Sequence, residues 1–174
     1  RDGLETEDGR QLTFQHASSG QQETFPLLVV LLGLVGRGFG QPVVLFVEEP
    51  EAHLFPGSQK KMVELMATVY NLSQGKVQLM ITTHSPYVTA AFDNLLEAQN
   101  ISAQSSESKE KVAKIIPPFR HLKFEEVAAY SLDQGGLANL MDEESKLKIA
   151  QPIDDASDEL DEEYDQLLKL HDRV

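Results

Sequence analysis

Cysteine is absent from the 174-residue chain, and basic residues are scarce. Without cysteine the chain has no disulfide, no thiolate metal site and no cysteine nucleophile. Lys and Arg number 15 against 28 Asp and Glu, which gives a net charge of −13. Surfaces that clamp a nucleic-acid backbone are basic. The composition therefore argues against a nucleic-acid clamp within these residues.

Long apolar runs are also missing. The longest run spans residues 27–35 and is nine residues long, whereas a membrane-spanning helix needs about 20. Hydrophobic residues make up 41% of the chain, which is enough for a packed core. The first residue is Arg1, and no signal-peptide pattern follows it. We therefore expect a soluble cytoplasmic protein with no membrane partner, and we interpret the chain as part of a longer polypeptide.

Apolar patterning predicts alternating strands and helices. Short β-prone segments occur at residues 11–16, 43–47, 77–81 and 127–132. Apolar residues at helical spacing, or a long apolar stretch, occur at residues 23–39, 58–72 and 87–98. The continuous apolar strand 43–47 is typical of a strand covered on both faces, and helix 23–39 is apolar enough to be buried. The order predicts an α/β fold with a parallel sheet flanked by helices.

Composition divides the chain into three parts. Residues 1–100 carry the α/β pattern. Residues 101–118 are polar and without periodicity, which predicts an exposed flexible loop. Residues 119–174 are predicted to form a strand and helices. Their last 24 residues, 151–174, contain nine acidic and two basic residues, and their apolar residues recur at helical spacing, which predicts an amphipathic helix with an acidic face.

Chemically distinctive residues follow the two apolar strands. Glu48 and Glu49 end strand 43–47, and His84 follows strand 77–81. Parallel sheets bind ligands at the carboxyl ends of their strands. Adjacent carboxylates at such an end repel each other unless a cation or a proton compensates their charge. The usual compensating cation is Mg²⁺ bound together with a nucleotide phosphate. The alternatives are an acidic turn that only ends a strand and a hydrogen-bonded structural histidine.

A third feature precedes the long apolar helix. Ser19 and Gln22 have the spacing of a capping box, which leaves backbone N–H groups at the helix start available to an anion such as phosphate. A simple helix cap is the alternative interpretation. A phosphate-binding Walker A loop is missing, because no Gly-Lys-Ser or Gly-Lys-Thr sequence occurs.

Together, in chain order, these elements resemble the C-terminal lobe of an ABC-type ATPase head. The segment 18–21, Ser-Ser-Gly-Gln, resembles the signature motif, and residues 43–49 resemble Walker B with the catalytic glutamate. Residues 51–54, Glu-Ala-His-Leu, resemble the D-loop, and His84 the switch histidine. The sequence of residues 48–56 is similar to the corresponding segment of SMC, RecF and OLD-like ATPases, including bacterial repair and anti-phage defence proteins.

The resemblance implies a role for each matching residue. Glu48 would hold Mg²⁺ directly or through water, Glu49 would polarise the attacking water, and His84 would sense the γ-phosphate. ATP held by a second subunit would be bound by four residues, Ser18, Ser19, Gly20 and Gln21. The D-loop would comprise Glu51, Ala52, His53 and Leu54. A homodimer closed around ATP is implied, as are ATP and Mg²⁺ as cofactors.

Three features depart from the family pattern. Ala17 and Ser19 replace the commoner Leu and Gly of the signature motif, and Glu48 stands where most ABC proteins have Asp. The Walker A lysine is missing from these residues. We therefore expect a separate N-terminal Walker A lobe, an inactive chain when this lobe is absent, and contacts to DNA or RNA, if any, outside these residues.

Two other functions fit the same sequence. One is a non-catalytic interaction module derived from such an ATPase, whose acidic tail recruits a partner. The other is a metal-dependent hydrolase built on Glu48, Glu49, His53 and His84, although these residues lack the helical His-Glu spacing of zinc hydrolases.

Overall fold

The computed structural model of the chain describes residues 3–5, 9, 11–133 and 135–143. The described residues divide into two compact units, those up to Thr83 and those from His84 onward. The amphipathic helix predicted for residues 151–174 lies outside the described residues.

The first unit is built around a parallel strand–helix–strand element. Its elements are β1 (Gly3–Glu5), β2 (Gln11–Thr13), a 3₁₀ turn (Phe14–His16), α1 (Ser19–Arg37), β3 (Val43–Glu48), α2 (Pro56–Leu72) and β4 (Val77–Thr82). Strands β1 and β2 pair antiparallel, and β3 and β4 pair parallel from Val43 opposite Val77 to Glu48 opposite Thr82. The predicted α/β architecture with a parallel strand pair and flanking helices is confirmed.

The core of this unit lies under α2. The buried side chains of α2 recur at helical spacing and are Met62, Val63, Met66, Ala67 and Val69. Leu31 of α1, Val47 of β3 and Val77 of β4 are also buried. Full burial of a Val, Leu or Met side chain stabilises the fold by roughly 1.5–3 kcal/mol.

The sheet and α1 are less covered than the sequence predicts. Val44, Phe46 and Met80 lie on one face of the β3–β4 pair and are 50%, 72% and 50% exposed. In α1, only Gly20 and Leu31 are buried. The predictions of a buried helix and of a strand covered on both faces are therefore wrong for the described chain, because only one side of each element has a packing partner there.

A buried serine connects α2 to β4. Ser73 is 1% exposed; its Oγ donates a hydrogen bond to the Tyr70 carbonyl at 2.6 Å and accepts one from the Val77 N–H at 3.1 Å. These bonds terminate α2 and fix the first residue of β4, so they help to set the strand whose far end carries Thr82.

Ser73→Ala is therefore expected to lower the free energy of unfolding of the complete protein by about 1–3 kcal/mol, because the Val77 N–H loses its acceptor inside the core. Denaturant unfolding would measure the change. Ser58→Ala, at an exposed position of α2, is the control and is expected to shift the free energy by less than about 0.5 kcal/mol. A Ser73→Ala protein as stable as the control would contradict this role.

The second unit is helical with a terminal hairpin. Its elements are α3 (Pro86–Ser102), α4 (Ser106–Ala113), 3₁₀ turns at Pro118–Arg120 and Phe124–Glu126, β5 (Tyr130–Asp133) and β6 (Gly136–Asn139). Strands β5 and β6 pair antiparallel. Ser85 caps α3 by accepting the Tyr87 N–H at 3.2 Å, and Pro86 occupies the first turn, where its missing N–H leaves no helical acceptor unpaired.

Helix α4 occupies part of the segment predicted to be a polar loop, residues 101–118. Ser105 caps it by accepting the Ser108 N–H at 3.0 Å, and Lys111 Nζ lies 2.6 Å from Glu107 Oε1 one turn away. Val112 is its one buried residue. Local capping and an i,i+4 pair stabilise a helix here without the apolar periodicity on which the prediction depended.

Candidate functional site

The signature-like segment forms the first turn of α1. Ser18 is the N-cap: its Oγ accepts the Gln21 N–H at 3.3 Å, and its own N–H donates to Gln21 Oε1 at 3.0 Å. The capping box predicted for Ser19 and Gln22 therefore lies one residue earlier. Gln22 instead donates to the carbonyls of Phe14 at 3.2 Å and Ala17 at 2.9 Å, which stabilises the chain that leads into the helix.

Gly20 brings this turn against the D-loop-like turn. A Cβ atom at position 20 would lie 2.5 Å from the His53 carbonyl oxygen, closer than real Cβ contacts come. Glycine is therefore required by close approach of two backbones. Next to this contact, His53 Nε2 lies 3.3 Å from Glu23 Oε1, with both side chains about half exposed. An exposed pair of this kind contributes little to stability, so backbone packing at Gly20 is the main contact.

The acidic residues lie at the carboxyl end of β3. Glu48 is the last residue of the strand and is exposed. Glu49 follows with a φ of 42°, in the left-handed region. For a residue with a Cβ this conformation costs roughly 1–2 kcal/mol. Strain of this size persists only where surrounding contacts hold it, and it is found preferentially at functional sites.

Hydrogen bonds define the turn that carries Glu49. The Glu49 N–H donates to the Thr82 carbonyl at 3.0 Å, which continues the ladder between β3 and β4 by one residue. The Ala52 N–H then donates to the Glu49 carbonyl at 2.9 Å, and the Leu54 N–H donates to the Glu51 carbonyl at 2.9 Å. Two successive turns therefore lead from the strand end to the start of α2. His53, with a φ of 56°, is the second left-handed residue in this segment.

Glu51 is anchored inside this segment. Its side chain is 9% exposed, and its Oε1 accepts a hydrogen bond from Thr83 Oγ1 at 2.5 Å. A hydrogen bond from a hydroxyl to a carboxylate is charge-assisted. The resemblance to ABC-type ATPases implies that Glu51 belongs to the D-loop, but it implies no partner for the side chain. Thr83 stands out in the sequence only as one of the polar residues that precede His84.

A cavity of about 300 Å³ lies between α1 and the end of β3. Three of its lining residues are glutamates: Glu23, Glu48 and Glu49. Its other lining residues are Thr24, Leu27, Val47, Pro50 and Ala52. The contribution of Glu23 and Thr24 is a feature that sequence reasoning missed, because only the packing of α1 brings them to the strand end.

The carboxylates suit magnesium held together with a nucleotide. Mg²⁺ keeps several water ligands and is bound by one or two carboxylates plus substrate phosphates, which Glu48 and Glu49 fit as exposed residues that line a cavity. Among residues 3–5, 9, 11–133 and 135–143, no group of three or more His, Asp or Glu side chains is placed to hold a metal ion.

His84 is the first residue of the second unit, and its side chain is exposed. It follows Thr83 directly and precedes Ser85, the N-cap of α3. The interpretation of His84 as a switch histidine is based on its position in the sequence, directly after Thr83.

None of the helices in the described part of the chain is long and apolar enough to cross a membrane.

Comparison with known proteins identifies the family. The family model described as AAA ATPase domain matches residues 2–89, which are 88 of the 174 residues and include both strands of the parallel pair. Corresponding comparisons with curated proteins and with solved structures gave no match. The matched region contains the α1 turn, the Glu48–Glu49 strand end, the D-loop-like turn and His84. The chain therefore belongs to the AAA ATPase domain family.

Proposed function

We propose that this chain supplies the C-terminal lobe of an ABC-type ATPase head of the SMC, RecF and OLD-like class. In this proposal, ATP-driven dimerisation of the complete protein is coupled to nucleic-acid repair or anti-phage defence. The observation that carries the proposal is the cavity between α1 and β3, because Glu48 and Glu49 line it at the end of a parallel strand and Gly20 packs the start of the same helix against the D-loop-like turn.

Each residue has a role that its environment permits. Glu48, exposed at the strand end, would hold Mg²⁺ directly or through water. Glu49 would accept a proton from the attacking water, or polarise it, from a backbone held in the left-handed region. The bound Mg²⁺ would supply charge compensation for the phosphates. His84 would contact the γ-phosphate.

The first turn of α1 would bind the ATP held by the partner subunit. Ser18 and Gln21 are tied to each other by the capping box, so the turn is preorganised before the partner arrives. The backbone N–H groups of Ser19 and Gly20 lie in the first turn, where α-helical N–H groups have no acceptor within their helix and favour a phosphate. Preorganised N–H groups bind an anion without paying for ordering at the time of binding.

The exposed apolar faces support a missing lobe. Val44, Phe46 and Met80 form a continuous apolar strip on one side of the sheet, with Phe46 paired to Met80 in register. Exposed apolar residues of α1, such as Val29 and Leu32, are 52% and 62% exposed. An apolar sheet face is normally covered by a further layer. In the proposed head, a Walker A lobe would cover these residues and complete the nucleotide site.

The proposal predicts an ATPase whose dimerisation depends on ATP. The complete protein is expected to hydrolyse ATP and to double its mass in multi-angle light scattering when ATP is added, whereas the 174-residue chain alone is expected to show no turnover because it has no Walker A loop. DNA and RNA would be tested as activators. An inactive, monomeric complete protein under all these conditions would contradict the proposal and favour the non-catalytic interaction module.

A further inference from the structure

Two neighbouring threonines at the end of β4 hold the turn that carries Glu49. They are Thr82, the last residue of β4, and Thr83, the residue after it. Each one makes a hydrogen bond to the segment that follows β3, although about 30 residues separate the partners in sequence. The two bonds reach the segment on either side of Pro50, at Glu49 and at Glu51.

The bond to Glu49 fixes the start of the turn. Its N–H donates to the Thr82 carbonyl at 3.0 Å, with Thr82 Oγ1 at 3.4 Å from the same nitrogen. This bond keeps the backbone of Glu49 in line with the sheet. It does not by itself determine the direction that the chain takes after Glu49, where φ is 42°.

The bond to Glu51 fixes the end of the turn. Thr83 Oγ1 donates to Glu51 Oε1 at 2.5 Å, and the Glu51 side chain is buried. The turn between the two anchors is closed by the Ala52 N–H, which donates to the Glu49 carbonyl at 2.9 Å. With both ends held, the short connection has little freedom, and this is the condition under which a strained, left-handed residue with a side chain is retained.

We propose that Thr83, acting through Glu51, is a positioning residue that aims the Glu49 carboxylate at the attacking water. This inference rests on the proposed function, in which Glu49 is the catalytic carboxylate. Without the Thr83 bond the turn can relax towards an unstrained backbone, and the carboxylate at its start moves with it. A displacement of about 1 Å in a catalytic group can cost on the order of 100-fold in rate.

The test compares Thr83→Val, which removes the hydroxyl and keeps the shape, with Thr83→Ser, which keeps the hydroxyl. In the complete protein, Thr83→Val is expected to lower kcat for ATP hydrolysis by about 10- to 100-fold. KM for ATP is expected to stay near the wild-type value, because only an interaction that matters in the transition state is lost. Thr83→Ser is expected to restore most of kcat.

A matched control is available in α2. Thr68 is also half-buried, and its Oγ1 donates to the Glu64 carbonyl at 2.7 Å within its own helix. Thr68→Val removes a hydroxyl of similar environment away from the turn, and it is expected to leave kcat unchanged. All variants would be assayed below their melting temperatures, with Thr83→Ala as a second hydroxyl-free variant in case Thr83→Val does not fold.

The outcomes separate the inference from the proposed function. Wild-type kcat in the folded hydroxyl-free variants overturns the inference, and the proposed function stands if Glu49→Gln still abolishes turnover in the same assay. A loss of kcat that Thr83→Ser fails to restore, or an equal loss in Thr68→Val, also overturns it, because the effect would then be a general one on the fold. Absence of turnover in the wild-type protein overturns both.

Discussion

Glu49→Gln is expected to lower ATP turnover of the complete protein by about 100- to 10,000-fold, the range that a positioned general base contributes. Glutamine has nearly the same shape as glutamate, so it preserves the left-handed backbone at position 49 and the hydrogen bond from its N–H to Thr82. It cannot accept the proton of the attacking water. Bound ATP would therefore persist, and the dimer closed around it would accumulate.

Steady-state phosphate release would measure the loss, and light scattering with ATP present would detect the trapped dimer. Glu110→Gln is the control, because Glu110 is an exposed residue of α4 in the second unit and makes the same change of charge. The control is expected to retain wild-type turnover. Equal turnover in wild type and Glu49→Gln would remove Glu49 from the catalytic role and leave Glu48 as the acidic residue to examine.

Gly20→Ala is expected to have the second-largest effect. The added Cβ would lie 2.5 Å from the His53 carbonyl oxygen, and neither atom belongs to a flexible side chain that can move away. The D-loop-like turn and the start of α1 must separate, at a cost of about 1–3 kcal/mol for overpacking of this kind. Because both segments are proposed to face ATP, turnover is expected to fall by about 10- to 100-fold.

The same helix offers a matched control for this change. Gly33 is also in α1, and a Cβ built there meets no atom within 4 Å. Gly33→Ala is expected to raise the free energy of unfolding by up to about 1 kcal/mol through its better helix propensity, with turnover unchanged. Thermal unfolding and turnover would be measured on both variants. A Gly20→Ala protein that behaves like Gly33→Ala would show that the close approach at position 20 has no functional consequence.

Membership of the AAA ATPase domain family narrows the function to ATPase-related activity, and the proposed SMC, RecF and OLD-like class is a finer statement. Two features of the structure support the finer proposal. The exposed strip at Val44, Phe46 and Met80 would be covered by another lobe. The preorganised first turn of α1 would bind the ATP of a partner subunit. Dimerisation on addition of ATP tests the second feature directly.

The order of the elements was predictable from local patterns. The predicted segments 43–47, 58–72 and 77–81 agree with β3, α2 and β4 to within two residues at each end, because β-branched runs and helical spacing are strong local signals. Covering layers were not predictable. The apolar residues of α1 and β3 suggested burial on all sides, whereas burial depends on which other segments pack against them.

The helix cap and α4 show the limit of spacing rules. Ser18 with Gln21 and Ser19 with Gln22 have the same spacing. The first pair forms the capping box because α1 begins at Ser19, which makes Ser18 the N-cap. In α4, an N-cap and one ion pair are enough for a helix in a segment whose composition resembles a loop. In both segments, the competing local conformations differ only slightly in free energy. Sequence alone therefore does not identify which of them forms.

The sequence by itself determined which residues are candidates for chemistry, because adjacent carboxylates at the end of an apolar strand are unusual wherever the strand lies in the fold. Only the tertiary structure decided how they are held. Glu23 reaches the cavity beside Glu48 and Glu49 because α1 packs there, and Gly20 is required because a carbonyl 33 residues away approaches it. The strained backbone of Glu49 is held by Thr82 and, through Glu51, by Thr83. Contacts between residues distant in sequence leave no local pattern, because they depend on the packing of whole elements.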